Sequence, residues 1–439
     1  MAIRGVLPLL FALAVDGPVL HEVVMNNAAH DERKWKILAL TFNVAMQSGS
    51  PEAATQVLSR FADQQLDMIA VGFQEVQHLE TFGAKMSTWA NDFMDWFAAN
   101  MPNMVVVART YQATNQVFVL VDNTHLSEIR SVDYRYARNT MRGILGHKGS
   151  IGVRILLKGH GEAVAGGFVF VVSHFVHDVL QNERRILQYR NDETCSFPED
   201  PFIWNRIWLG DLNFRNEIDP DGFEPFYKGK RLRELLDQHD QLNAARRRRL
   251  VFGDWSEAPI NFPPSYRYYV GNHSYDLKRT PSWTDRVLSK GKLTVDEYDM
   301  IHEVQTSDHR PVFCKLKASV PPRAPVNWAV QFEKMPAWND SVPVPVRFQY
   351  LKGWWSRFGS YWDWVGLYDA SLTNVLLPIQ WKYAVNCIVD PASKPLHSVC
   401  EFPVLPAGRY RFGYFSKKFQ CLVGLSKGFI VAASRPSSR

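Results

Sequence analysis

Ile207-Trp208-Leu209-Gly210-Asp211-Leu212-Asn213-Phe214-Arg215 and Thr280-Pro281-Ser282-Trp283-Thr284-Asp285-Arg286-Val287-Leu288 are the two stretches on which the reading of this chain turns. The first is an apolar run that closes on an Asp and an Asn. Their i, i+2 spacing turns both side chains to one face of an extended chain. The second sets an Asp and an Arg beside a bulky frame of Pro and Trp. Outward from these, Ser307-Asp308-His309-Arg310-Pro311-Val312 places an acid before a His, and Ser173-His174-Phe175-Val176-His177 follows an apolar run. Nearer the start, residues 36–43 read as a strand ending at Asn43, and residues 67–73 as a strand ending at Gln74-Glu75. Polar residues thus recur at strand ends (Asn43, Glu75, His174, Asp211, Asp308), where rigid scaffolds present reactive groups. Taken singly, each has an ordinary reading as a turn residue or a surface acid. It is the combination that points to chemistry.

The intervening chain supplies the scaffold. Ser50 offers an N-cap and Pro51 a first-turn proline, and Val57, Leu58 and Phe61 form a helical apolar stripe. A second helix carries Met86, Trp89, Phe93, Trp96 and Phe97 on one face as core. Strands are expected at 104–108, 116–121, 150–157, 168–173, around 203–209 and at 312–316. Strands mixed with helices, in both hairpin and crossover spacing, predict a layered α/β or α+β domain. Val320-Pro321-Pro322-Arg323-Ala324-Pro325 reads as a linker. Beyond it the texture changes to short strands (346–350, 364–368, 409–415) with no convincing helix, which predicts an all-β sandwich of about 100 residues. The organisation expected is an N-terminal segment at 1–32, a large domain at 33–318, a Pro-rich linker at 319–326, a β-domain at 327–433 and a tail at 434–439.

Of the 439 residues 46% are hydrophobic and 21% charged, an ordinary globular mix. The net charge of +6 is a mild bias toward anionic partners and does not choose among them. Five scattered cysteines, none in a CxxC pair, argue against a disulfide framework or a zinc site and fit a reducing compartment. Residues 1–15, MAIRGVLPLLFALAV, pull the other way, with an early Arg, a short apolar run and Ala12-Leu13-Ala14 as a small-residue site. Two readings stand: a secretory signal, or an apolar segment packed on the domain or lying on a membrane. The run is too short for a membrane span. Arg246-Arg247-Arg248-Arg249 likewise reads either as a solvated helix end or as a cluster attracted to an anionic membrane face.

The two opening stretches, as WxGDxNFR and PSWTDRVL, resemble the signature segments of the inositol polyphosphate 5-phosphatase family. Thr41-Phe42-Asn43, Phe73-Gln74-Glu75, His147-Lys148-Gly149 and the segments at 173–177 and 307–311 follow in the family's order, so the resemblance covers residues 33–317. It implies an endonuclease/exonuclease/phosphatase fold, a two-sheet α/β sandwich with helices outside. It also implies Mg²⁺-dependent removal of the 5-phosphate from phosphoinositides or soluble inositol polyphosphates. Glu75, with Asn43, resembles the metal ligands, hard oxygen donors that suit Mg²⁺. Asp211, with Asn213, resembles the group that orients or deprotonates the attacking water. His309 resembles the contact to the scissile phosphate, with Asp308 beside it and the metal. The fold implies that Asp285 orients His174 and that Arg286 binds phosphate.

The resemblance further implies substrate binding by Lys148 and a 4-phosphate grip at Tyr266, Arg267, Lys278 and Arg279. Here Arg267 stands for the family's Lys, Leu277 for a second Lys, and Lys278 sits one place later. His147 for Asn and Phe42 for Trp are further departures that leave the charged roles intact. The C-terminal stretch resembles a SKICH domain through residues 361–368, 408–415 and 423–426. That implies targeting to membranes and protein partners, with most of its aromatics expected in the core. A cytoplasmic, peripherally membrane-associated enzyme that does not act on nucleic acid is the resulting expectation. A nuclease or sphingomyelinase-like enzyme of the same fold would share Glu75, Asp211, Asn213 and His309. The Pro-Ser-Trp-Thr-Asp-Arg segment and Tyr266-Arg267 discriminate against a nuclease, a secreted sphingomyelinase-like enzyme gains weight from the signal-like start, and the intact charged set tells against a binding-only pseudoenzyme.

Overall fold

The computed structural model describes residues 33–77, 88–140, 145–161, 163–325, 327–351, 353–393 and 396–434, all within one unit, Glu32–Arg439. The apolar run at 1–15 and Met86 lie outside the described residues. Two sheets form the large domain. The first holds β1 (Arg33–Asn43), β2 (Met68–Gln74), β3 (Met104–Gln112), β4 (Asn115–Asp122), β10 (Leu293–Met300) and β11 (Val312–Val320), in the order β10-β11-β1-β2-β4-β3. The second runs β5 (Ile129–Thr140), β6 (Leu145–Lys158), β7 (Val164–His174), β8 (Asn205–Asp211) and β9 (Asp285–Gly291), in that order.

Strand β2 is buried at every position, and β1 becomes continuously buried after Ile37. A central strand covered on both faces needs such an unbroken apolar run rather than alternation. Small residues let the two sheets approach. A Cβ on Gly72 would stand 2.7 Å from the Val172 side chain of the opposite sheet. Outside the first sheet, the helix Pro51–Leu58 is capped by Ser50 Oγ, which accepts the Ala53 N–H at 3.1 Å. The helix Thr88–Asn100 buries Trp89, Phe93 and Phe97 against Phe42 and Phe73.

Register brings the polar strand ends together. His174 pairs with Asp211 across β7–β8, and Asp211 with Asp285 across β8–β9, while Gly149 pairs with His174 across β6–β7. The four strands therefore end their ladders in one row. In the other sheet Asn43 pairs with Gln74, and Thr41 with Val312, so Glu75 and His309 emerge beside that row.

The C-terminal strands form two further sheets. One has the order 330–332, 344–350, 397–402, 388–390, and the other 338–339, 429–432, 408–416, 364–369, 380–383. A short helix, Trp354–Phe358, interrupts what the sequence presented as all strand. Tyr361 and Trp362 are 79% and 63% exposed, so these two do not join the core expected of that domain's aromatics. Cys387 and Cys400 are joined as a disulfide, with Cα atoms 4.6 Å apart. Antiparallel pairing of 388–390 with 397–402 closes a gap that sequence distance cannot show, and one bridge among five cysteines is not the disulfide framework that the sequence argues against. Cys195, Cys314 and Cys421 are free and buried, and burial pushes the thiols of Cys195 and Cys421 up to about 12.

The first two sheets and the C-terminal strands share backbone hydrogen bonds across the segment expected as a linker, within one compact unit. Val106 N–H donates to Thr373 O at 2.9 Å and Val375 N–H to Val106 O at 3.1 Å, on the free edge of β3. Val132 N–H donates to Phe419 O at 2.9 Å, on the free edge of β5. Arg130 lies over the Phe419 ring at 4.4 Å. The C-terminal strands and loops thus cover one edge of each of the first two sheets, where unpaired strand groups would otherwise meet solvent.

Candidate active site

Gly210 explains how the row of strand ends can form. Its φ is +145°, and a Cβ there would stand 2.1 Å from Ser173 O, so only glycine lets β8 lie this close to β7 before Asp211. Glu75 and Asn213 also have left-handed backbones, each with φ of 55°, which is uncommon for residues with a side chain and often marks a functional site.

Asp211 is 2% exposed and sits at the centre. Its Oδ2 accepts the Asn43 amide at 2.9 Å and lies 3.4 Å from His174 Nε2, while Oδ1 accepts the Asn213 N–H at 3.0 Å. Burial alone would raise its pKa. The His174 hydrogen bond and the nearby His309 and Lys148 outweigh it and hold the carboxyl far below the usual range. His309 is the complementary group. Its Nδ1 donates to Asp285 Oδ2 at 2.8 Å, and its Nε2 faces Asp211 and Asp308, each at 4.0 Å. Burial opposes its charge, but Asp285, Asp211 and Asp308 raise it to about 10, so it is an imidazolium at neutral pH. His174 is buried, contacts Lys148 Nζ, and lies 3.6 Å from Glu75 Oε1. Burial and the Lys148 charge lower its pKa, which keeps it neutral.

These groups open on a pocket of about 380 Å³ lined by Glu75, Lys148, Asp211, Asn213, Asp308 and His309 on one side and by His177, Arg215, Tyr266, Arg267 and Arg279 on the other. Arg279 donates to the Tyr266 hydroxyl at 3.2 Å, and Tyr266 lies 4.4 Å from the His309 ring. Arg267 reaches Asp276 at 3.3 Å and Asp308 at 3.4 Å. Lys278 stands in a larger adjoining cavity of about 830 Å³, which shares His177, Arg215 and Arg279 with the first.

Two expectations are corrected. Asp285 supports His309, not His174, because its Oδ2 points to His309 Nδ1 and also takes the Ser265 and Thr284 hydroxyls at 2.7 and 2.9 Å. Arg286 does not reach the pocket. The i, i+1 neighbours of a strand point to opposite faces, and Arg286 is wholly buried on the far one. There it pairs with Glu257 at 2.7 and 2.8 Å and with Asp240 at 3.2 Å. Arg215 and His177 received no role from the sequence, although both stand in the quoted segments. Arg215 lies 4.3 Å from the Tyr266 ring centroid and donates to Asn213. Its place at the end of the 207–215 stretch was the available signal.

The donor set fits a hard divalent cation. Glu75, Asp211 and Asp308 offer carboxylate oxygens to one pocket with no cysteine in it, and Asp308 Oδ1 has no hydrogen-bond partner in the chain. Glu75 is the most exposed of the three carboxylates, at 36%. Asn43 Oδ1 already accepts the Ala45 N–H at 2.9 Å and has one lone pair left for a ligand. Asp211, Asp285 and His309 also bring ligand atoms within 4.8 Å of one another; Asp285 Oδ2 is taken by three donors, and its Oδ1 is the oxygen left without a partner.

The model of the Endonuclease/Exonuclease/phosphatase family 2 matches residues 40–315. Phosphatidylinositol 4,5-bisphosphate 5-phosphatase A of Mus musculus is 26% identical over 434 residues, 91% of this chain, and the chain spans 42% of that relative's length. Inositol polyphosphate 5-phosphatase K of Mus musculus is 24% identical over 89% of this chain and 88% of its own. Among solved structures, the 5-phosphatase domain of a synaptojanin, in complex with inositol (1,4)-bisphosphate and calcium ion, aligns with a TM-score of 0.58 and 24% identity, covering 66% of this chain and 86% of that one. A Cimex nitrophorin in a ferrous NO complex aligns with a TM-score of 0.55 at 20% identity, over 65% and 99%, so the fold is not confined to phosphatases. The chain belongs to the endonuclease/exonuclease/phosphatase family, and its relatives there are named inositol polyphosphate 5-phosphatases.

Proposed function

We propose that this chain hydrolyses the 5-phosphate of phosphoinositides, and of soluble inositol polyphosphates, with Mg²⁺ held by Glu75 and Asn43. The carrying observation is one pocket that joins an ionised carboxylate, an imidazolium and a cationic grip: Asp211, His309 and the set Lys148, Arg215, Arg267 and Arg279. A phosphomonoester dianion repels an attacking water, so charge must be neutralised before the water is aimed in line. A bound divalent cation supplies part of that neutralisation and lowers the pKa of bound water. Asp211 is held so strongly ionised that it orients a water by accepting its hydrogen bond. His309 Nε2–H, fixed by Asp285 through Nδ1, is aimed into the pocket to meet phosphoryl oxygens. His174 stays neutral and, with Asn43, braces Asp211.

Tyr266, Arg267 and Arg279 form the grip for a neighbouring ring phosphate, and Lys278 extends it into the larger cavity. The C-terminal domain is read as SKICH-like and as contributing to membrane and protein association. The enzyme is read as cytoplasmic and peripheral, since such lipids face that compartment. Among the described residues no helix is long and apolar enough to cross a membrane.

Phosphate release should be measured on phosphatidylinositol 4,5-bisphosphate, the 3,4,5-trisphosphate and soluble inositol 1,4,5-trisphosphate, beside plasmid nicking. Release that stops in EDTA and returns with Mg²⁺ supports the reading. Nicking without release, or full activity in EDTA, rejects it.

A further inference from the structure

Behind the reactive ends of β6 and β7 lies a buried acid with no place in the pocket. Asp192 is the last residue of the helix Asn182–Asp192 and is wholly buried. An anion at a helix C-terminus opposes the macrodipole, so helix stability does not account for it. Its partners are elsewhere. Oδ2 accepts the Ser150 hydroxyl at 2.6 Å, Oδ1 accepts the Asn139 amide at 2.6 Å, and Gln188 Nε2 lies 3.5 Å from Oδ2. Ser150 has one hydroxyl proton and gives it to Asp192. The 2.5 Å bond between Ser150 and Ser173 is therefore donated by Ser173. The result is a chain of fixed direction, Ser173 to Ser150 to Asp192.

Ser150 and Ser173 face each other across β6–β7, one step from the pair Gly149 and His174. Lys148 and His174 project from these two strands and touch each other, Lys148 at the wall of the pocket and His174 buried behind it. Gln188, one turn earlier on the same helix, donates to His174 O at 3.2 Å and accepts the Val176 N–H at 3.0 Å. A single helix thus holds the backbone just after His174, around Phe175, and, through two hydroxyls, the strand that carries Lys148.

We propose that Asp192 is a positioning residue for the Lys148–His174 pair, acting through the directed hydroxyl chain of Ser150 and Ser173. The inference rests on the phosphatase reading for its kinetic test alone. The carboxylate, an acceptor only, sets the direction of both hydroxyls. Apolar replacement leaves them free to reverse and the two strand ends free to shift.

The full chain, with Asp192→Ala, Asp192→Asn and Ser173→Ala, tests this by two readouts. The first is phosphate release from soluble inositol 1,4,5-trisphosphate. Asp192→Ala should lower kcat about 10-fold with KM within about 2-fold, Asp192→Asn should recover part of the loss, and Ser173→Ala should lower kcat about 3-fold. The second is the ring signals of ¹⁵N-histidine, where His174 should shift in Asp192→Ala and Ser173→Ala while His309 stays. Where Asp192→Ala does not fold, Ser173→Ala decides. An unmoved His174 signal with unchanged kcat in Ser173→Ala overturns the proposal. If the parent chain releases no phosphate, the phosphatase reading fails, and the His174 signal alone decides the positioning role.

Discussion

The catalytic sandwich and the C-terminal β-domain are both built from buried strands, yet they treat charge in opposite ways. The sandwich buries Asp192, Asp211, Asp240, Asp285, Arg185, Arg286, Arg310 and two imidazoles. Among the described residues the C-terminal domain buries one ionisable acid or base of this kind, Asp363, which accepts the Ser360 and Lys417 N–H groups at 3.0 and 2.7 Å. Its unusual feature is the reverse: Trp362, Trp381, Leu377, Ile379 and Ile388 stand exposed. A buried charge is costly unless paired or hydrogen-bonded, so a cluster of them marks where the fold is spending stability on chemistry. The second domain spends none there, and it covers the free edges of β3 and β5.

The sharpest way to break this comparison is Arg286→Ala. It strips Asp240 of its arginine and leaves Glu257 only Arg246 as a cationic partner, both acids being nearly fully buried. Stability should fall by about 3–5 kcal/mol in urea unfolding. A folded variant of normal stability that loses only substrate affinity would restore the phosphate-binding role that the structure withdraws.

Asp211→Ala should leave the fold standing and cut turnover by a factor on the order of 10² or more. Near-normal turnover would dissolve the contrast between the two regions, since the buried, ionised acid at the centre of the site would then be without function.

Asp285→Asn probes the pH dependence. The Asp285 charge and hydrogen bond help raise His309 to about 10, from 6.5 in the unperturbed ring. A raised pKa favours the native state through the proton it holds. That contribution is complete below about 6.5 and is lost as pH rises through about 10. The amide should move the alkaline limb of kcat down toward neutrality, and a limb that stays in place would remove His309 from the reaction.

Arg279→Ala should cost about 10-fold on substrates bearing a 4-phosphate and less on those without it, by analogy with the loss of one charge-assisted bond. Equal losses on both would assign Arg279 a general electrostatic role. The smallest effect is expected at the domain boundary. Arg130→Ala removes the cation over Phe419 and should cost about 0.5–1 kcal/mol of stability with kcat unchanged. A fall in kcat there would couple the two domains more closely than edge covering requires.

The sequence by itself determined the layered α/β class, the strands that end in Asn43, Gln74, His174 and Asp211, and the Ser50 cap, because apolar runs and capping residues act locally. It could not decide partners. Whether Asp285 serves His174 or His309 depends on the β8–β9 register and on where the loop before β11 turns, and neither is a property of neighbouring residues. Arg286 looked like its neighbour Asp285 in the motif, but the pleat sent it to the opposite face and into an ion triad. The Cys387–Cys400 bridge and the docking of Phe419 and Asn374 on the catalytic edges were equally hidden. These contacts join residues far apart along the chain, and only the packed tertiary structure fixes the distances on which pairing depends.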